Sequence, residues 1–371
     1  MRSDVERWSL ISRLLTWVLS RPGLVLGLTG SREEVALGGR VLHRGVQALI
    51  QLVDLLGRMT GSDRSDDPLG GREEFVQLAR LAMPVRTDVH VTGRHVPGPD
   101  GAPEIAVRVY RRFGVGVGTA VDEHRPSAIV FFHGGGWVVG DLDSHDASCR
   151  LLAAVTGCVV VAVDYRLAPE HPFPAAVEDC LAAYAWVQRN HEELGTAPGM
   201  VGVMGDSAGG NLAAVVALET RPGRSAHVAD VPPPVAQGLV YPATDARLDS
   251  PSIHALAEGF FLTKAGMETY RGLYLPDSGD WEDVRASPLL ADDHAGVAPA
   301  VIVTAGFDPL RDDGFRYAEA LQKAGVAVDY RCYDDQIHGF FAMGIIPDSL
   351  ALAIETCDAM GRLMRRVSSG A

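Results

Sequence analysis

Gly205-Asp206-Ser207-Ala208-Gly209-Gly210 is the stretch that decides the fold of this 371-residue chain. The apolar run from Met200 to Met204 precedes it, and an alanine-rich pattern with helical spacing, Asn211 to Glu219, follows it. In the pattern G-x-S-x-G, the glycines permit a sharp turn that lifts the serine hydroxyl off the end of a sheet. The stretch therefore predicts a strand, a turn and a helix, with Ser207 exposed as a nucleophile.

Strands and helices alternate on both sides of this turn. Helices are predicted between the strands, for example from Ala175 to Asn190 and from Phe315 to Ala324. Strands that are apolar throughout are buried on both faces, so the pattern predicts an α/β fold with a mostly parallel sheet. An antiparallel hairpin, Thr87 to Thr92 and Ile105 to Tyr110, precedes this sheet because its residues alternate with period two. The predicted apolar strands are Ala128 to Phe132, Cys158 to Val163, Met200 to Met204, Val235 to Val240, Ala300 to Thr304 and Ala327 to Tyr333.

The composition restricts the class of protein. With 47% hydrophobic and 22% charged residues, the chain fits one large domain with an accessory part, or two domains. The net charge of -14 argues against a nucleic-acid partner. The five cysteines are widely spaced without a C-x-x-C pair, which favours a reducing, cytoplasmic compartment over a disulfide framework or a zinc cluster. We expect neither a metal nor another cofactor.

The first 85 residues are predicted to be helical. Arg13, Arg21 and Pro22 interrupt the apolar stretch from Trp8 to Leu28, so it fits neither a transmembrane segment nor a signal peptide. The N-terminal helix predicted within this stretch could pack on the body of the protein, rest on a membrane surface or line a substrate entrance. Further helices are predicted from Val41 to Met59 and from Arg72 to Met83, with a polar loop between them. The amphipathic pattern of the first helix rests on Leu10, Ile11, Leu14, Leu15 and Val18.

Two more residues complete a candidate catalytic set with the serine. A serine hydroxyl needs a base to take its proton, and that base needs a carboxylate to orient it. His338 follows the last predicted strand, and Asp308 follows the strand before it. Both therefore belong to the sheet edge that presents Ser207, in the chain order Ser, Asp, His expected for such a sheet. Asp312 and Asp313 are alternative carboxylates.

The run His133-Gly-Gly-Gly-Trp137 follows the strand that ends at Phe132. Acyl transfer passes through a tetrahedral oxyanion, which backbone N–H groups at about 3 Å stabilise. Consecutive glycines can turn their amides toward such an oxygen, so we expect Gly134, Gly135 and Ala208 to form the oxyanion hole. His133 is a second candidate base, but its position favours a role in bracing the loop.

Four motifs together resemble those of the hormone-sensitive-lipase family (family IV) of esterases, within the α/β-hydrolases. The resemblance covers about residues 85 to 365 and assigns nucleophile, acid and base to Ser207, Asp308 and His338. It also implies an eight-stranded sheet with a helical cap. The motifs are Phe132-His-Gly-Gly-Gly-Trp137, Asp164-Tyr-Arg-Leu-Ala-Pro-Glu170 with His171-Pro-Phe-Pro-Ala175, Gly205-Asp-Ser-Ala-Gly-Gly210 and Asp308-Pro-Leu-Arg-Asp312.

The resemblance further divides the chain. Residues 1–85 would form an N-terminal cap segment, and residues 86–371 the catalytic domain, with a second cap segment inserted at about 250–288. We expect Trp137, Phe260 and Phe261 to contribute apolar walls to the substrate pocket.

These observations predict a serine carboxylesterase that hydrolyses short- to medium-chain acyl esters through an acyl-enzyme. An amidase, a lactonase or a deacetylase would use the same three residues. A ligand receptor on this scaffold is the remaining alternative, and His338 argues against it because receptor relatives have lost the catalytic histidine. The expected partner is a small-molecule ester; a homodimer and peripheral membrane contact by the N-terminal helix are further possibilities.

Overall fold

An eight-stranded sheet forms the centre of the computed structural model, which describes residues 6–7, 9–31, 33–60, 69–114, 125–224, 228 and 230–369. The strands are β1 (Val89–Val96), β2 (Ile105–Arg112), β3 (Ala128–Phe132), β4 (Val159–Val163), β5 (Val201–Asp206), β6 (Gln237–Val240), β7 (Ala300–Phe307) and β8 (Val328–Ile337). Their order across the sheet is β1-β2-β4-β3-β5-β6-β7-β8. Strand β2 runs antiparallel to both of its neighbours, and all other pairs are parallel. This arrangement confirms the predicted α/β-hydrolase fold.

Helices cover both faces of the sheet. Alternate residues of β3 point to opposite sides: Val130 belongs to the core cluster on one face, and Phe131 to the cluster on the other. Both faces of this strand are fully buried, as its continuous apolar sequence predicts. The first cluster is covered by α6 (Ala175–Arg189), α8 (Ala208–Glu219) and α11 (Arg311–Lys323), and the second by α5 (Asp146–Thr156) and α12 (Pro347–Ser368). A short helix, α7 (His191–Leu194), follows α6.

The N-terminal part contains four helices among its described residues: α1 (Leu10–Leu19), α2 (Pro22–Thr29), α3 (Arg44–Thr60) and α4 (Arg72–Ala82). Pro22 opens α2, because proline is accommodated at the first position of a helix, and so divides the predicted N-terminal helix in two. The helix predicted from Val41 begins three residues later, since Arg40–Val41 pairs with Ala36–Leu37 as a short hairpin. Most of the predicted loop before α4 lies outside the described residues. No helix in the described part of the chain is both long and apolar enough to cross a membrane.

A helical insertion lies between β6 and β7. It interrupts the regular alternation of strands and helices along the chain. It contains α9 (Pro251–Ala255), α10 (Lys264–Tyr274) and two short 3₁₀ helices, Ser278–Glu282 and Pro288–Leu290. The insertion joins the N-terminal helices in one hydrophobic cluster, to which Leu26, Leu256, Phe307 and Ile337 belong. Both helical parts therefore pack against the carboxyl ends of β7 and β8.

Candidate active site

Ser207 occupies the sharp turn between β5 and α8. Its backbone angles are φ 55° and ψ −119°, a strained conformation for a non-glycine residue. The turn also requires close backbone approach, because a Cβ atom on Gly209 would lie 2.0 Å from the carbonyl oxygen of Phe132. A Cβ atom on Gly205 would lie 2.2 Å from the carbonyl oxygen of Gly209. The glycines thus have the spatial role that the sequence predicts, and the serine is presented at the sheet edge.

The hydroxyl of Ser207 is the first member of a short chain of hydrogen bonds. Its Oγ atom lies 2.9 Å from Nε2 of His338, and Nδ1 of the same ring lies 2.8 Å from Oδ2 of Asp308. Asp308 is fully buried, and its second oxygen accepts the amide proton of Leu310 at 2.8 Å. A carboxylate only accepts, so Nδ1 carries the proton, and in the neutral ring Nε2 is free to accept from the serine. The arrangement prepares the hydroxyl for deprotonation.

Strand register explains why residues so distant in sequence meet. Phe307 of β7 pairs with Ile337 of β8, so Asp308 and His338, the next residues in the chain, emerge side by side. The two alternative carboxylates point elsewhere. Asp312 binds Arg311 and the amide of Ser252, and the buried carboxyl of Asp313 faces Thr244, Asp245 and Ser250. Asp308 is therefore the carboxylate that reaches the histidine.

One of the three amides expected to form the oxyanion hole, in the glycine loop after β3, has a hydrogen-bond partner within the protein. The amide of Gly134 donates to Oδ1 of Asp206 at 3.0 Å, so it is not available to a substrate oxyanion. Among the described residues, the amides of Gly135, Gly136 and Ala208 have no hydrogen-bond partner. Three consecutive glycines look equivalent in a sequence, and only the contact with Asp206 distinguishes the first from the next two.

A buried polar network supports this loop from behind. Nε2 of His145 lies 3.3 Å from Oδ1 of Asp206, and Nδ1 of His133 lies 2.8 Å from the carbonyl oxygen of Gly134. Burial alone would raise the pKa of Asp206, but His145 and the Gly134 amide outweigh it and lower that pKa. Burial, together with neighbouring His145, lowers the pKa of His133 to about 4, so its ring is neutral at pH 7. His133 thus stacks on Tyr165 and holds the loop.

The three apolar residues predicted for the substrate pocket have different surroundings. Trp137 is buried and stacks on Tyr274 of α10, with ring centroids 4.6 Å apart. Phe260 is partly buried and its ring lies 5.2 Å from that of Phe307. Phe261 is 55% exposed and has a backbone φ angle of 74°. Of the three residues, it is Phe261 whose ring lies beside Gly339, the residue after the candidate base His338.

Contacts that the sequence does not signal attach the two helical parts to the site loops. Arg72 of α4 donates to both carboxylate oxygens of Glu170, each at 2.8 Å, and to the carbonyl oxygen of Val138 at 2.8 Å. Tyr270 of α10 packs on the glycine loop, because a Cβ atom on Gly136 would lie 2.7 Å from its Cγ atom. A single arginine or tyrosine in a helical pattern has no recognisable spacing, so sequence reasoning missed both residues.

The chain is similar in sequence to a known protein family and to named ester hydrolases. A family model described as alpha/beta hydrolase fold matches residues 129–342. The chain is 41% identical over 330 residues to the carboxylic ester hydrolase LipN of Mycobacterium tuberculosis, covering 88% of this chain and 84% of that protein. It is 40% identical over 261 residues to the carboxylesterase NlhH of the same species, covering 69% and 77% of the two chains.

A solved structure extends the comparison to three dimensions. The ester-hydrolase EH1AB1 from the metagenome of Lake Arreo superposes with a TM-score of 0.79 at 37% identity, covering 86% of this chain and 98% of that one. Its structure was determined with a bipyridine phosphonate derivative. The chain therefore belongs to the hormone-sensitive-lipase family of carboxylic ester hydrolases, within the α/β-hydrolases.

Proposed function

We propose that the protein is a serine carboxylesterase acting on short- to medium-chain acyl esters, with Ser207 as nucleophile, His338 as base and Asp308 as the orienting acid. The observation that carries this proposal is the continuous hydrogen-bond chain from the serine hydroxyl through the imidazole to a buried carboxylate. The three residues of this hydrogen-bond chain follow three different strands. A purely structural role does not explain why a serine, a histidine and an aspartate meet at one sheet edge. Identity of about 40% to ester hydrolases supports the same conclusion.

The proposed roles cover both halves of a hydrolysis cycle. Nε2 of His338 takes the hydroxyl proton as Ser207 Oγ attacks the ester carbonyl carbon, and returns it to the departing alkoxide when the acyl–oxygen bond breaks. Water then gives a proton to the same nitrogen, its oxygen attacks the acyl-enzyme, and the proton passes back to Ser207 as the acid leaves. Asp308 keeps the ring in the required tautomer and stabilises the imidazolium that forms in each half.

The negative charge that develops on the carbonyl oxygen needs fixed donors. We assign this role to the amides of Gly135, Gly136 and Ala208, with Gly134 replaced by Gly136 relative to the sequence-based expectation. Loss of one such donor costs about 3–4 kcal/mol of transition-state stabilisation in acyl-transfer enzymes. The bond from Gly134 to Asp206 then holds the loop that carries the two glycine donors.

Substrate size is proposed to be set by a cap made from residues 1–85 and 250–288. The contacts of Arg72 with Val138 and of Tyr270 with Gly136 support this proposal, since each connects one cap segment to the loop after β3. The exposed ring of Phe261 beside Gly339 offers an apolar surface near the base. Each acyl methylene buried on such a surface contributes about 0.8 kcal/mol to substrate binding. Binding should therefore strengthen with acyl-chain length until the acyl chain no longer fits beneath the cap.

The decisive measurement compares hydrolysis of p-nitrophenyl esters from acetate to palmitate by the wild-type protein and by Ser207→Ala. We expect rates to fall steeply beyond medium chains and the variant to lose nearly all activity at every length. The second part of the experiment measures hydrolysis of the anilide that carries the same acyl group as the best ester. Retained ester hydrolysis in Ser207→Ala would refute the proposed nucleophile, and faster turnover of anilides than esters would instead identify an amidase.

A further inference from the structure

The outer face of the helical hairpin formed by α1 and α2 is strongly apolar. Its large side chains are each more than half exposed, which is unusual for so many neighbours on one short segment. In α1 they fall at helical spacing on one side, and in α2 they lie four residues apart on the same side of the helix. These side chains are Leu10 at 86%, Ile11 at 58%, Leu14 at 61%, Trp17 at 51%, Leu24 at 53% and Leu28 at 87%.

Helix α1 is apolar on both of its sides, unlike an ordinary surface helix, because Leu15, Val18 and Leu19 pack inward while four large apolar side chains stay exposed. Ser12 is buried on the inner side, and Thr16 of the same side is half-buried, while leucines and a tryptophan face outward. A surface helix in water usually buries its apolar stripe and exposes its polar one. The inner side is still anchored, because Leu19 of α1 and Leu26 of α2 are fully buried in the cluster that contains Phe307 and Ile337. The exposed face is thus presented by a fixed element.

Charge on the hairpin indicates what this face binds. The chain as a whole carries a net charge of -14, yet the sequence between Arg7 and Arg32 contains Arg13 and Arg21 and no aspartate or glutamate. Both arginines are exposed, and the guanidinium of Arg21 lies 4.5 Å from the centre of the Trp17 ring. A tryptophan beside an arginine at the border of an apolar face is the side-chain combination that settles at the boundary between lipid headgroups and acyl chains.

We propose that the hairpin of α1 and α2 binds the surface of an anionic phospholipid bilayer, with its six exposed apolar side chains in the headgroup boundary and Arg13 and Arg21 at the lipid phosphates. At ten residues, α1 is about 15 Å long, which suits a helix lying along the surface. A second copy of the chain fits less well. In a two-fold contact the patch meets itself, which would bring the arginines of both copies together in an apolar interface.

Vesicle flotation tests the proposal in the full-length chain. The Ser207→Ala background prevents any lipid hydrolysis and makes the result independent of the proposed esterase activity. With 100% phosphatidylcholine vesicles we expect weak binding, and with about 30% phosphatidylglycerol added we expect binding at least about fivefold stronger, reversed by 1 M salt. Absence of binding to the anionic vesicles would refute the proposal.

Matched variants locate the surface. Leu14→Ser combined with Leu28→Ser should weaken partitioning by about tenfold or more, because two side chains leave the apolar face. Phe113→Ser combined with Ile354→Ser, at exposed apolar residues outside the hairpin, should bind like the parent. Arg13→Glu should weaken binding to the anionic vesicles only, and it tests the same surface if the leucine variant fails to fold. Equal binding by parent, leucine variant and Arg13→Glu would refute the assignment.

Two further measurements separate lipid from protein as the occupant. Brominated acyl chains should quench part of the tryptophan fluorescence of the parent, and Trp17→Phe should remove that part. Light scattering after size exclusion gives the oligomeric state of the parent and of the leucine variant. A parent dimer that the leucine variant converts to a monomer, without vesicle binding by either, would overturn the proposal in favour of self-association.

Discussion

Asp206 Oδ1 accepts the amide proton of Gly134 at 3.0 Å, so the residue before the proposed nucleophile supports the glycine loop beside it. The fit is tight, since a Cβ atom on Gly134 would lie 2.5 Å from the other carboxylate oxygen. Nε2 of His145 lies 3.3 Å from the same Oδ1 atom, so this oxygen has two partners. The loop that carries the proposed oxyanion donors is therefore held by a buried side chain next to the proposed nucleophile.

Asp206→Ala is expected to lower kcat for p-nitrophenyl butyrate by about 100-fold or more, the effect of losing an oxyanion donor, with a smaller change in KM. The reason is that an unsupported Gly134 amide no longer fixes the loop that carries Gly135 and Gly136. Asp206→Asn keeps an acceptor oxygen for that amide and should stay within about tenfold of the parent. Steady-state kinetics on both variants, with thermal melting as a control for folding, provide the test. Equal kcat in the alanine variant and the parent would rule out this support role.

Asp308→Asn is expected to lower kcat by about 10⁴-fold, because an amide at this position no longer holds the His338 ring in the tautomer that accepts the serine proton. Asp312→Asn is the matched control, since Asp312 follows the same strand but binds Arg311. Its kcat should remain close to that of the parent. Single-turnover measurements with p-nitrophenyl butyrate would detect both effects. A larger loss in Asp312→Asn than in Asp308→Asn would transfer the acid role to Asp312.

Two leucines of α2 should separate the buried from the exposed side of the N-terminal hairpin. Leu26 is fully buried beside the site-bearing strand ends, and Leu28 is 87% exposed. Leu26→Ala should lower the free energy of unfolding by about 2–5 kcal/mol through the cavity it leaves. Leu28→Ala should change it by less than about 0.5 kcal/mol. Urea unfolding followed by circular dichroism compares the two, and a similar loss in both would mean that the hairpin does not pack as described.

The buried carboxyl of Asp313 should make the free energy of unfolding depend on pH. Burial raises the pKa of Asp313 to about 7, whereas the unfolded carboxyl titrates near its ordinary value of about 3.9. Between these values the folded state holds a proton that the unfolded state has lost. The free energy of unfolding therefore falls as pH rises from about 4 to about 7, by about 1.4 kcal/mol per pH unit from this group.

Asp313→Asn removes this titration. Relative to the parent, the variant should gain stability steadily from about pH 4 to about pH 7 and show a constant difference above that. Urea unfolding of both proteins at pH 5, 6, 7 and 8 measures the difference. A difference that does not change with pH would show that Asp313 titrates at its ordinary pKa in the folded protein.

Much of the sheet could be predicted from the chain because buried parallel strands require continuous apolar runs, and β3 has the predicted bounds. The predicted ends of the last two strands were less accurate. Strand β8 continues to Ile337, four residues past the predicted end, because pairing with β7 sustains a segment rich in polar residues. Tertiary pairing outweighs local propensity at a sheet edge of this kind.

The amino-acid sequence by itself determined the fold and the order of the candidate catalytic residues, since a serine, an aspartate and a histidine that follow parallel strands must meet at one sheet edge. The tertiary structure decided which glycine amides stay free, because the Gly134 amide is bound only when Asp206 is brought beside it. It also decided how the helical segments attach, through Arg72 and Tyr270, and that α1 exposes its apolar face. Such contacts join residues far apart in the chain, and their geometry exists only once the strands have paired and the loops have closed over them.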